Sequence, residues 1–309
     1  MLFQEKRMDM KKIREKTILI TGGTGFIGNH LVRELLHQCD ILVISRQKKI
    51  PLVTTVNADI TDISGLQNSL KKIDIDLVFH VAGSTNSPDH TQDPDFFSIN
   101  AIGTKNILEL CRQKNVEQMV YSSTMEVFGD PFYTPVDEKH PKLPDSNYGL
   151  SKWMGEEYCR QYLSAYGICS TILRYSYVYG PGLPPYRVIS RFIGNAFDNK
   201  PLLLNNNGKD VNDYIYVRDV ISANILSVTH MNAKNNDFNI GLGTPTSVEE
   251  LARTVIQLIG KGKTEMVSGV IQPAKNFVFN ISKAQKQMNY NPAYSLSAGL
   301  KEQINDMIA

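Results

Sequence analysis

The chain has 309 residues, of which 42% are hydrophobic and 21% charged, with a formal net charge of +2. That is the make-up of a soluble globular protein with room for one large core or two unequal ones, and its balanced charge gives no reason to expect nucleic acid as a partner. No apolar run approaches the length of a membrane span, and the charged stretch Met1 to Lys16 is read as a short surface extension, not a secretion signal. Four cysteines, Cys39, Cys111, Cys159 and Cys169, form no CxxC pair. They fit buried thiols in a reducing cytoplasm, and no metal site is expected.

The first element is a strand over Ile18 to Thr21, followed by Thr21-Gly22-Gly23-Thr24-Gly25-Phe26-Ile27-Gly28 and a helix-like stretch near 27 to 37. A strand, a glycine turn and a helix start form a site for a dinucleotide phosphate. Gly22 supplies the dihedrals of the turn, Gly25 lets the backbone approach the pyrophosphate, and Gly28 lets the helix lie against the sheet. The helix start at Phe26 and Ile27 presents its positive end to the phosphates.

A second strand over Ile41 to Ser45 ends in Ser45-Arg46, with Lys48 and Lys49 beyond it. An acidic residue there would hold a ribose diol; Arg46 could instead clamp a 2′-phosphate, so NADP is the expected cofactor ahead of NAD. Asp59 and Ile60 fall where the adenine would lie. Helical periodicity returns near 64 to 73, and a strand over Leu77 to Val81 closes with Val81-Ala82-Gly83, small residues suited to a backbone passing under the cofactor.

Further helical stretches near 96 to 114 and 148 to 166 alternate with strands over Gln118 to Ser123 and Ser170 to Arg174. The rhythm is that of a doubly wound parallel α/β sheet covered on both faces. It breaks after Tyr179-Gly180-Pro181-Gly182-Leu183-Pro184-Pro185. The expected division is a dinucleotide-binding domain over 1–175 and 211–240, with a smaller substrate lobe over 176–210 and 241–309.

The candidate catalytic group is Tyr148 with Lys152, in Tyr-Gly-Leu-Ser-Lys. Residues i and i+4 share a helix face, so the Lys152 ammonium can stand near the Tyr148 phenol and the nicotinamide ribose and favour phenolate. Tyr148 would then exchange a proton with a hydroxyl or carbonyl while the cofactor exchanges hydride. Upstream, Tyr121-Ser122-Ser123-Thr124 ends a strand in three hydroxyls, and Thr124 can bond the reacting oxygen.

Taken together, the glycine turn, Ala58-Asp59-Ile60-Thr61-Asp62, His80-Val81-Ala82-Gly83, Asn100-Ala101-Ile102-Gly103-Thr104, Ser122-Ser123-Thr124 and Tyr148 with Lys152 resemble the extended short-chain dehydrogenase/reductases. Leu173-Arg174-Tyr175, Tyr179-Gly180-Pro181-Gly182, Asp213-Tyr214-Ile215-Tyr216-Val217 and Asn239-Ile240-Gly241 extend the likeness to the NAD(P)-dependent epimerase/dehydratase family over nearly the whole chain. The resemblance implies a Rossmann fold, Thr124, Tyr148 and Lys152 as the active set, and Asn100 among the cofactor-binding residues. It also implies a nucleotide-diphosphate sugar as substrate, oxidised or reduced at C4.

Glu126 resembles the glutamate of 4,6-dehydratases, yet Met125 stands where those enzymes often carry an acid, and a thioether cannot donate a proton to a leaving hydroxyl. As a strand-end carboxylate, Glu126 equally fits a purely structural role. The family's usual diphosphate arginines are replaced by Asn212 and Gln272, and its uridine-contacting asparagine by Ser176. Arg187, Arg191, Lys209 and Arg218 are the cations available to compensate, each also readable as a solvated surface charge. A C4 reductase or epimerase of nucleotide sugars is the leading expectation. A reductase of a non-sugar carbonyl and a non-catalytic cofactor-binding protein are the other readings. Apolar residues Ile107, Leu108, Leu110, Tyr158 and Tyr162 on the two long helices fit the homodimer interface that the resemblance implies.

Overall fold

Runs such as Thr17-Ile18-Leu19-Ile20 alternate between two apolar environments, and this decides the architecture. In the computed structural model, which describes residues 12–46, 49–85, 95–267 and 272–308, Ile18 and Ile20 enter one core and Leu19 the other. A strand buried on both faces needs helices on both sides.

The strands are β1 Thr17–Thr21, β2 Asp40–Ile44, β3 Thr54–Val56, β4 Leu77–His80, β5 Gln118–Thr124, β6 Ser170–Tyr175, β7 Tyr177–Tyr179, β8 Pro201–Leu204, β9 Val211–Tyr216, β10 Asp237–Ile240, β11 Pro245–Ser247, β12 Lys263–Met266 and β13 Asn276–Phe277. The helices are α1 Phe26–Leu35, α2 Ile63–Leu70, α3 Gly103–Lys114, α4 Asn147–Tyr166, α5 Val188–Phe197, α6 Val217–Thr229, α7 Val248–Ile259, α8 Ser282–Met288 and α9 Leu296–Ile308. A π-helical stretch over Phe97–Ile102 leads into α3, so the single helix expected near 96 to 114 is two pieces of different winding.

Seven parallel strands form the large sheet in the order β10-β6-β5-β4-β1-β2-β3. Leu31, Val32 and Leu35 of α1 and Val220, Ile221 and Ala223 of α6 cover one face. Leu66 and Leu70 of α2, Ile107, Leu108 and Leu110 of α3, and Cys159 and Tyr162 of α4 cover the other. The order reverses direction between β1 and β4, which opens a crevice at the carboxyl ends of those strands.

The smaller part is not a continuation of that rhythm. Strand β9 pairs with β7, β11 and β13, and β8 pairs with β12. Their core joins Tyr179, Ile189, Phe192, Leu202, Tyr216, Leu251 and Leu300. Residues 211–216, grouped with the dinucleotide half in the sequence, thus lie in the small sheet, whereas α6 and β10 belong to the large one.

Two local expectations change. The piece read as a surface extension is anchored from residue 12 onward, with Ile13 fully buried and Lys12 Nζ donating to the Thr229 carbonyl. Cys111 and Cys159 are buried thiols, but Cys39 and Cys169 are only half-buried, and all four are free. Ile107, Leu108, Leu110 and Tyr162 are buried within the chain on that side of the sheet, and Tyr158 is half-buried beside them.

Candidate active site

The glycine turn after β1 is shaped by close approach on one side and openness on the other. Gly22 has φ +72°, and a Cβ there would lie 2.6 Å from the Ala82 amide nitrogen, so the turn and the end of β4 touch backbone to backbone. A Cβ at Gly28 would lie 2.1 Å from the Gly22 carbonyl, which fixes α1 against the turn. Gly25 faces open space apart from the Gly22 carbonyl at 3.3 Å. It is the N-cap of α1, has no side chain to cap the helix, and so leaves the first amide groups directed at the crevice. These are the features a pyrophosphate needs.

A cleft of about 1500 Å³ runs from this turn to the small lobe. Of the expected cofactor residues, Gly22, Gly25, Phe26, Ile27, Gly28, Ser45, Arg46, Asp59, Ile60, Val81, Ala82 and Gly83 all line it. Arg46 Nη1 lies 3.6 Å from the Asp59 carboxylate. A backbone hydrogen bond from Thr61 holds that carboxyl below its ordinary range, with the arginine adding to the effect. The guanidinium therefore already faces an anion, and its presence alone does not select a 2′-phosphate. Lys48 lies outside the described residues.

Asn100 and Lys152 stand behind the wall instead of on it. Asn100, in the π-helical stretch, accepts from the Ser84 amide at 2.8 Å and donates to the Ser84 carbonyl and to Ser151 Oγ, each at 3.0 Å. It ties the loop after β4 to α4. Lys152 is buried, with its ammonium over the Tyr121 ring at 4.4 Å, and a Cβ on Gly83 would stand 3.7 Å from it. Burial pulls its pKa down to about 8.

The reacting end is built by the strand end of β5 and the first turn of α4. Ser146 caps α4 by accepting from the Gly149 amide at 3.0 Å, and it donates to Glu126 Oε2 at 2.9 Å. Thr124, Met125, Glu126 and Tyr148 all reach the cleft. Burial and the Glu126 charge push the Tyr148 phenol above its usual range, while a hydrogen bond with Thr124 and the Arg187 guanidinium act the other way. Burial also raises Glu126, against its bond from Ser146.

The Arg187 guanidinium is a cation that acts on the phenol, and the Lys152 ammonium stands over the Tyr121 ring beside Gly83. Of the four cations proposed to compensate for missing arginines, Arg187 and Arg191 line the cleft. Arg218 is instead engaged by Tyr294 and Glu302. Among the described residues, no group of three His, Cys, Asp or Glu side chains is placed to hold a metal.

Residues 18–241 match the NAD dependent epimerase/dehydratase family. The chain belongs to that family. A relative in Methanocaldococcus jannaschii bearing the name "Putative UDP-glucose 4-epimerase" is 36% identical, covering 94% of this chain and 98% of the relative. The human dTDP-D-glucose 4,6-dehydratase is 29% identical over 81% of this chain and 76% of its own length. The solved UDP-glucuronic acid 4-epimerase of Bacillus cereus, in complex with UDP-glucuronic acid and NAD, superposes with a TM-score of 0.83 at 26% identity, covering 94% of this chain and 99% of that one. As a member of the epimerase/dehydratase family the chain is an NAD-dependent type of enzyme, and nothing in the comparisons supports the sequence-based choice of NADP.

Several cleft residues of this family member escape a sequence reading. Ser84, Thr85, Tyr177 and Tyr186 carry no motif, and only the fold brings them to one wall. The sequence marks Arg187 and Arg191 only as two of four candidate cations, with nothing local to set them apart.

Proposed function

We propose that this chain is a 4-epimerase of nucleotide-diphosphate sugars that uses NAD. The observation that carries this reading is the convergence of Thr124 and Tyr148 on the same cleft as the Gly22 to Gly28 turn, with Met125 beside them. NAD, when bound, supplies hydride exchange at C4 of the sugar. Tyr148 accepts the proton of the C4 hydroxyl in one direction and returns it in the other, and Thr124 bonds the same oxygen. Lys152, behind Gly83, fixes the wall next to the ribose side of the cleft. Met125, 8% exposed, has no proton to give to a leaving C6 hydroxyl.

Incubation of the purified protein with UDP-glucose, UDP-galactose, UDP-glucuronic acid and dTDP-glucose, followed by NMR without added cofactor, is expected to show a C4 epimer of at least one of them. A product formed only when reduced cofactor is supplied and consumed would instead make the chain a 4-keto reductase. The position of Glu126 on the cleft supports one second reading, 4,6-dehydration. Glu126→Gln is expected to leave epimerisation within about threefold of the parent; accumulation of a 4-keto-6-deoxy sugar by the parent, lost in this variant, would favour the dehydratase instead.

A homodimer and a cytoplasmic location belong to the same reading. Phe97 and Ile102, each 40% exposed, and Tyr166, 57% exposed, are the apolar groups left open on the π-helical stretch and α4. Light scattering that gives the mass of one chain at assay concentration would exclude the dimer.

A further inference from the structure

Lys152 is a buried cation without a counter-charge of its own. It is 4% exposed, and among the described residues it forms no ion pair with a carboxylate. Glu156, one turn along α4, is committed elsewhere: it accepts from Arg174 at 2.7 and 2.8 Å and from Ser123 Oγ at 2.7 Å. The other titratable groups around the ammonium carry no charge to offset it. Burial pushes the Cys159 thiol up to about 12 and raises the Tyr148 phenol, four residues back, as well. Burial and the Lys152 charge pull His80 down to about 3. Thr104 Oγ1 donates to the Asn100 carbonyl at 2.5 Å and so accepts from His80 Nε2 at 3.0 Å, which leaves Nδ1 to accept from Thr21 Oγ1 at 2.7 Å. The imidazole is thereby fixed as one neutral tautomer. A cation taken this far out of water needs another partner.

That partner is Tyr121 of β5, which is fully buried. Lys152 Nζ stands over its ring, 4.4 Å from the centroid, within the range in which the electron-rich face of an aromatic ring attracts a cation. The Tyr121 hydroxyl donates to the Lys152 carbonyl at 3.2 Å, and Gly155 makes room for it, since a Cβ there would lie 2.1 Å from that oxygen. The His80 ring stacks on Tyr121, with 5.7 Å between centroids and 28° between planes. We propose that Tyr121 is a positioning residue of the reaction: its ring face carries the Lys152 ammonium in place of a carboxylate, and its hydroxyl holds the helix turn from which that side chain starts. A carboxylate would take up the donors of the ammonium, whereas a ring face supports its charge and leaves donors for a ligand on the Gly83 side. This inference rests on the reading above that sets Lys152 on the ribose side of the cleft.

Carbon-13 NMR of the protein as purified, labelled at lysine Cε, reads the titration of Lys152 directly, its signal being the one missing from Lys152→Arg. The parent is compared with Tyr121→Phe, with Tyr121→Leu, and with protein carrying a trifluorinated phenylalanine at position 121, which keeps the ring's shape and drains electron density from its face. The Tyr121→Leu midpoint is expected about 0.4 to 1.5 pH units below the parent, the shift equivalent to one cation–π contact. The fluorinated form should fall between Tyr121→Leu and Tyr121→Phe, and Tyr121→Phe should titrate within about 0.3 of a unit of the parent, because the ring remains. The alkaline limb of the pH–rate profile on a sugar that is turned over should move down in the same order. Equal midpoints in the fluorinated and Tyr121→Phe forms overturn the role of the ring, and this comparison holds even if Tyr121→Leu does not fold. A shift in Tyr121→Phe as large as in Tyr121→Leu also overturns it, by assigning the effect to the hydroxyl. Midpoints that shift while the alkaline limb stays in place overturn the part of Tyr121 in the reaction. The titration needs no substrate, so failure of every nucleotide sugar to react would overturn the epimerase reading alone.

Discussion

Tyr148→Phe is expected to lower the turnover number about 10²- to 10⁴-fold, the usual worth of a positioned proton donor, with KM changed by no more than about threefold. The variant removes one oxygen and nothing else. The ring still packs against Phe96, at 6.0 Å between centroids, and the Ser146 cap that starts α4 does not involve the phenol. Burial and Glu126 hold the phenol above its ordinary pKa, so in the free protein at neutral pH it is the protonated partner, ready to donate to a C4 ketone. The reverse direction needs phenolate, and the Thr124 bond and Arg187 both favour it. Steady-state rates on whichever sugar is turned over decide the matter; a variant within threefold of the parent would remove Tyr148 from the chemistry.

Arg174→Ala is expected to destabilise the fold by about 3–5 kcal/mol, the cost of leaving a buried charge without its partner. Arg174 is fully buried in β6 and donates to Glu156 Oε1 at 2.8 Å, to Glu156 Oε2 at 2.7 Å and to Asp237 Oδ2 at 2.7 Å. It therefore joins α4, β6 and β10 behind the active strand end, where Ser123 Oγ also donates to Glu156 at 2.7 Å. Burial alone would raise the Glu156 pKa, and Arg174 reverses that, holding the carboxyl below 4.5.

The sign of the pH effect follows. A depressed carboxylate stabilises the fold above its unfolded pKa and loses that contribution as pH falls through the folded value. In the variant, Glu156 loses its main cation, its pKa moves back up, and acid neutralises the stranded charge. The deficit between variant and parent should be largest near neutral pH, shrink as pH falls through the raised Glu156 pKa of the variant, and shrink further below about 4.5 as the parent loses its own contribution. Denaturant melts at several pH values test this; a deficit independent of pH would mean that the loss is packing of the side-chain stem.

How much of this was legible in the sequence depended on the range of the interactions. The turn from Gly22 to Gly28 and the five strands near it could be read because runs buried on both faces are continuous and apolar. Strand β3 was missed because it is three residues long, polar and at the sheet edge. The small sheet was missed because β7, β9, β11 and β13 find one another across long separations, with no period to reveal the pairing. Ile13 looked like surface because it sits among charged neighbours.

Within the site, residue types were legible and directions were not. Spacing placed Tyr148 and Lys152 on one helix face, but it could not show that Lys152 turns under Gly83 to the Tyr121 ring. Arg46 looked like a phosphate clamp until Asp59, 13 residues on, came to stand 3.6 Å away. Arg187 looked like one of four surface cations until α5 was seen to start at the cleft.

The most direct measurement follows the hydrogen on C4. A nucleotide sugar labelled with deuterium at C4 and carried through turnover in ordinary water, without added cofactor, should give an epimer that keeps its deuterium. A returned hydride on a cofactor held within the Gly22 to Gly28 crevice would have no path to solvent. Deuterium replaced by solvent hydrogen in the product, or an epimer formed by protein shown to be free of nicotinamide, would contradict hydride exchange in this cleft.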